Sequence, residues 1–144
     1  SHLCFSQDKF IIQNKKQSDK IRFKLINNLI VVPVQINGVA LTFLLDTGFK
    51  NPVIFNFLNV SNSSNKKYKT IFLRGLGGGD SVEALKSSNN VLELGEAIKL
   101  NQDLYAVYSS NLNFASRLGI AVHGIIGLDL FKNLIVEINY ATVF

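Results

Sequence analysis

Residues 29–48 constrain this chain more than any other stretch. Ile30–Ile36 is a β-branched run, Asn37-Gly38 follows it, and Val39–Leu45 is a second apolar run. Asn and Gly both tolerate positive φ, so the pair supports a type I′ turn, whose twist matches that of its flanking strands. The sequence therefore predicts a tight β-hairpin, and the second strand of that hairpin delivers Asp46-Thr47-Gly48 directly at its end.

The remainder reads as further short strands. Ile21-Arg22-Phe23-Lys24-Leu25 alternates apolar and polar with period two, the pattern of a half-buried strand. Val53–Leu58 predicts another strand. Tyr68–Leu73 and Ser81–Leu85 flank the turn Gly75-Leu76-Gly77-Gly78-Gly79, which predicts a hairpin with a glycine tip. Val91–Leu94, Gly95-Glu96 and Ala97–Leu100 predict a third hairpin, and Leu104–Tyr108 a strand. Gly124-Ile125-Ile126-Gly127 leads into Leu128–Asn133, read as one short helix, and the alternation of Leu134–Tyr140 reads as a closing strand. Residues 1–20 are polar and Lys-rich around Phe10-Ile11-Ile12, which fits an N-terminal arm or edge strand; 21–144 then form one domain. Many short strands with frequent turns predict an all-β fold, a barrel or a sandwich.

Composition narrows the chemistry. The net charge of +5 is modest for 144 residues, and Lys66, Lys67 and Lys69 follow the polar stretch 61–65, so they read as a solvated loop and strand start. With the single cysteine Cys4 the chain can form no internal disulfide and no cysteine-rich metal site, and His2 and His123 lack zinc-binding spacing. The longest apolar run, around Leu29–Val34, contains Pro33 and is too short to cross a bilayer as a helix. The glycine run lacks the Lys-Ser/Thr ending of a phosphate loop.

Asp46 is the residue that asks for an explanation. The chain passes from Phe43-Leu44-Leu45 straight into a carboxylate, a costly placement unless the acid is hydrogen-bonded. Thr47 supplies a hydroxyl, and Gly48 permits a tight bend and close approach of another backbone. Taken alone, Asp-Thr-Gly is good material for a strand-terminating Asx turn. The order of apolar pair, Asp-Thr-Gly, glycine-tipped hairpin and Ile-Ile-Gly before a short helix is more specific.

Over about residues 21–140 this order resembles the retropepsin-like aspartic proteases. Leu44-Leu45-Asp46-Thr47-Gly48 is similar to their active-site motif, Gly75–Gly79 to their flap tip, and Gly124–Gly127 to the element that crosses behind the active-site loop. The resemblance implies a closed, single-lobed acid-protease barrel, hydrolysis of peptide bonds by an activated water, and no cofactor or metal. Asp46, Thr47 and Gly48 would be catalytic. Phe49, Lys50, Gly75, Leu76, Gly77, Gly78, Gly79, Ile125 and Ile126 would meet a peptide or protein substrate. With one Asp-Thr-Gly per chain, the second acid would come from an identical chain, making a homodimer. The length is similar to that of the bacterial branch, whose members often continue into a PDZ domain for which this sequence has no room. That likeness points to the periplasm or cell envelope.

Two positions depart from the family. Phe49 stands where a small residue is usual. Lys50 stands where retroviral members often carry an acid, and Asp129 stands near where they place a base, so a charge-swapped Lys50–Asp129 pair is expected. Asp80 reads as a turn residue, Asp129 as a helix-start acid, His123 as a satisfied loop histidine, and Cys4 as a residue of the arm. Two rival functions remain: a peptide-binding or dimerisation module of the same fold, favoured by Phe49, and an oligonucleotide-binding barrel, disfavoured because most Phe lie in apolar runs. Neither nucleic-acid binding nor membrane insertion is expected.

Overall fold

The computed structural model of the chain describes residues 9–55, 68–73, 81–107 and 118–144. Among these residues the strands are β1 (Ile11–Ile12), β2 (Lys24–Ile26), β3 (Leu29–Ile36), β4 (Val39–Leu45), β5 (Val53–Ile54), β6 (Tyr68–Leu73), β7 (Val82–Leu94), β8 (Ala97–Ala106) and β9 (Gly124–Ile126), followed by the helix α1 (Leu128–Phe131). Among the described residues the fold is all-β apart from short helical turns.

The predicted hairpin forms. β3 and β4 pair from Ile36↔Val39 to Ile30↔Leu45, and the turn has positive φ at Asn37 (52°) and Gly38 (83°), as a type I′ turn requires. Period-two alternation then sorts the side chains. Val32, Val34 and Ile36 of β3 and Leu41 and Phe43 of β4 enter the main core, with Ile54, Leu92, Leu104 and Ile126. Val31 and Leu44 point the other way, into a smaller cluster with Leu118, Val122 and Ile125.

Pairing carries the sheet around that core. β3 pairs with β4, β4 with β9, β9 with β5, β5 with β8, β8 with β7, and β7 returns to β3 through Gln35↔Glu93 and Ile36↔Leu92. β1 extends β8, β2 extends β3, and β6 extends β7.

Two expectations are corrected. The predicted strands around Ser81–Leu85 and Val91–Leu94 are one strand, β7 (Val82–Leu94), and those predicted at Ala97–Leu100 and from Leu104 likewise merge into β8, which ends at Ala106; Tyr108 lies outside the described residues. The polar residues between them do not end the strands. Register shifts between Ser87 and Leu92 absorb them, with Asn89 and Asn101 at positive φ. The buried Asn90 amide donates to the Ser87 carbonyl, the Ser87 hydroxyl and the Gln102 carbonyl, and its oxygen accepts from Asn37. Asn37 also accepts from the Val91 amide, so the turn of the first hairpin is tied to the irregular part of β7.

The second correction concerns Leu134–Tyr140. Its alternation is real: Leu134, Val136 and Ile138 are half-buried, while Ile135 is fully exposed at 103%. Leu134 and Ile138 pack on the main core, yet no strand pairs with this segment among the described residues. It lies extended on the surface. Beyond it, Phe23 donates its amide to Val143, and Asn139 and Phe144 exchange backbone hydrogen bonds. Among the described residues no helix is long and apolar enough to cross a membrane.

Candidate functional site

Asp46 follows the last residue of β4, whose interior neighbours Phe43 and Leu44 are buried. β9 runs parallel to β4 with the register Phe43↔Gly124, Leu44↔Ile125 and Leu45↔Ile126. The Asp46 amide continues this ladder by donating to the Ile126 carbonyl at 2.9 Å. The chain then turns: the Phe49 amide donates to the Asp46 carbonyl at 3.2 Å, and the Gly48 amide donates to Asp46 Oδ1 at 2.9 Å. The latter is the Asx turn that the tripeptide by itself predicts. The turn leaves Asp46, Thr47 and Gly48 exposed, and among the described residues the turn bond is made to Asp46 Oδ1 rather than to Oδ2.

The loop is held from behind. The Leu128 amide donates to the Phe49 carbonyl at 3.0 Å. Gly127 lies so close that a Cβ there would sit 1.8 Å from the Asp46 carbonyl oxygen and 2.9 Å from that of Phe49. Gly124 is equally confined, since its Cβ would meet the Val53 carbonyl oxygen at 2.2 Å and the Phe43 ring at 2.7 Å. The Ile-Ile-Gly element therefore crosses behind the Asp46 loop because glycine alone fits at both of its ends.

The remaining sequence candidates fall into three groups. Ile125 and Ile126 are fully buried beneath the loop, so within one chain they form its bed and offer no surface to a ligand. Lys50 is exposed, whereas Phe49 is half-buried, packed against both the Val31–Leu44–Ile125 cluster and a third cluster of Val53, Ala84 and Val107. Gly75, Leu76, Gly77, Gly78, Gly79 and Asp80 lie outside the described residues, as do Cys4, Lys66 and Lys67; the flanks of the glycine run do pair, with Leu73 opposite Val82.

The expected Lys50–Asp129 pair is replaced by another. Asp129 pairs with Lys99 of β8, and at 3.8 Å with Lys132. Lys99 stands on a strand remote in sequence, so no local pattern announces it. His123 is a backbone clamp rather than a cleft residue. Its amide donates to the Thr42 carbonyl at 2.8 Å, and its Nδ1 accepts from the Thr42 amide at 3.0 Å, which requires that nitrogen to be unprotonated.

The sequence reading passes over an apolar wall beside the loop. Phe55, Ile71, Leu73 and Val82 pack with Phe49 around Val53, Ala84 and Val107. Ile71 and Leu73 are alternate residues of β6, so the period-two pattern of that hairpin contains the signal. On the neighbouring strand, burial pushes the Tyr105 phenol above its usual range; Lys86 opposes this and Asp103 adds to it. Among the described residues no group of acids, histidines or cysteines could hold a metal ion. A scan of protein-family models and a search of curated proteins both returned no match to this sequence.

Proposed function

We propose that the chain is an aspartic endopeptidase whose active unit is a homodimer, with one Asp46 from each copy. The observation that carries this reading is the setting of Asp46. Its backbone is locked into a buried parallel ladder and wedged by Gly127, while its carboxylate faces outward and open. An acid that served only to end a strand has no need of such a bed. The cycle of strand pairings supports a closed, single-lobed acid-protease barrel, and the order of Asp-Thr-Gly, glycine hairpin and Ile-Ile-Gly supports the retropepsin-like variety.

In that dimer two carboxylates about 3 Å apart share one proton, because both cannot ionise at that distance. One activates a water, and the other donates a hydrogen bond to the substrate carbonyl oxygen. The pair titrates as a unit. Thr47 would brace the junction of the two loops, the glycine hairpin would cover the peptide, and an extended substrate would set alternate side chains against apolar walls such as Ile71, Leu73 and Val82. The burial of Phe10, Phe23 and Phe43 supports a core role for the aromatics over base stacking.

A second reading, a binding or dimerisation module without catalysis, is favoured by Phe49, whose ring fills space beside the loop. The test is cleavage of unfolded casein from pH 4 to 7, with and without a statine-type inhibitor, together with the solution mass. Inhibitable cleavage by a dimer that vanishes in Asp46→Asn is expected. Peptide binding without cleavage would select the module, and salt-sensitive binding of single-stranded nucleic acid would overturn both.

A further inference from the structure

We infer that the Lys99–Asp129 ion pair is a positioning brace for the Asp46 loop, fixing α1 at the height from which Gly127 and Leu128 support the loop. This rests on the reading of Asp46 as catalytic, but it is tested separately from it.

The pair is nearly withdrawn from water, with side chains 9% and 12% exposed. Lys99 belongs to β8, where it stands opposite Leu92, and its ammonium lies 6.0 Å from the centre of the Phe10 ring. Asp129 belongs to α1. Its neighbour Leu128 supports the Phe49 carbonyl, and its neighbour Leu130 is buried and donates its amide to Gly127. Lys132, the other partner of Asp129, is half-exposed and farther away. The ion pair thus joins β8 to a short element whose backbone supports the loop.

Stability is a weak reason for such a pair. Desolvation of two buried charges offsets most of their attraction, and well-packed apolar residues often serve as well or better. A charged pair does enforce one geometry, and here geometry has no slack. Any shift of α1 moves Gly127, which already abuts the Asp46 and Phe49 carbonyls, and small displacements of a reacting group cost rate steeply.

The deciding variant is Lys99→Met/Asp129→Leu, which replaces the pair with apolar groups. Its Tm should equal or exceed that of the unaltered protein. The amides of Asp46 and Leu128 should exchange with solvent about 10-fold faster, and kcat should fall about 10- to 100-fold with KM within about twofold. Lys99→Arg, which keeps the charge, should show the amide exchange and kcat of the unaltered protein. If the double variant does not fold, Lys99→Gln/Asp129→Asn is read in the same way. Unchanged exchange at Asp46 and Leu128 overturns the brace, as does a Tm that falls in step with kcat. If the unaltered protein and Asp46→Asn are equally inert, the catalytic reading fails instead, and amide exchange alone decides the brace.

Discussion

Replacing Gly127 with Ala tests the central geometric claim without touching a charged or catalytic group. The added methyl would lie 1.8 Å from one backbone oxygen and 2.9 Å from another. Neither oxygen is the end of a flexible side chain, so the loop or α1 must move. Forcing one extra carbon into a packed site costs about 1–3 kcal/mol. The movement also strains the Asp46–Ile126 and Leu128–Phe49 backbone bonds, each worth about 1 kcal/mol. The total, about 3–5 kcal/mol, is a large part of a typical domain stability of about 5–15 kcal/mol. At about 3 °C per kcal/mol for a chain of this size, the Tm should drop by about 10–15 °C. Gly38→Ala is the matched control. Its φ is +83° and nothing lies within 4 Å of the added methyl, so only backbone strain of about 1–2 kcal/mol applies. Thermal unfolding followed by circular dichroism gives both numbers. A Gly127→Ala protein that melts no lower than Gly38→Ala would refute the wedge, and with it the account of how Asp46 is held.

The other predictions concern distant parts of the sheet. Asn90→Ala leaves the Asn37 amide, the Ser87 and Gln102 carbonyls and a cavity in the core, so the urea midpoint should fall by the equivalent of about 2–4 kcal/mol with an unchanged slope; a shift under about 1 kcal/mol would count against that network. For Tyr105, burial raises the phenol's pKa, so the folded state holds its proton more tightly than the unfolded chain does. That contribution is whole below about pH 10 and is lost as pH rises through the folded value. Wild-type stability should therefore decline from pH 9 to 11 more steeply than that of Tyr105→Phe, and parallel urea midpoints across that range would show the reasoning wrong.

What the sequence disclosed and what it hid follow from the range of each interaction. The hairpin at 29–45 was legible because its turn chemistry and its period-two pattern are local, and Asp46 was legible because it interrupts that pattern. The continuity of β7 and β8 was not legible. A polar run such as Lys86–Asn90 reads as a break unless one knows that Asn37, more than fifty positions earlier, arrives to satisfy it. The extended segment 134–138 erred in the opposite direction. Alternation reports one buried face, and Leu134 and Ile138 provide that, but a strand also needs a neighbour for its backbone. The partner of Asp129 was misassigned for a related reason. The choice between Lys50 and Lys99 depends on which strand passes beneath α1, and only the pairing of the whole sheet determines that.

The register shift in β7 bears on how the β6–β7 hairpin can move. The inner end of β7 belongs to the core, while its outer end carries β6. A bent ladder would ordinarily act as a pivot. Here the bend is also the point of strongest polar anchorage, since the Asn90 side chain fastens it to β8 and to the β3–β4 turn at once. Rocking of the hairpin about that point would have to break the Asn90 hydrogen bonds to the Gln102 carbonyl and to the Asn37 side chain together. Flexing must then begin further out, beyond Leu85, so one asparagine sets how much of the β6–β7 ladder is left outside the anchored part of the sheet.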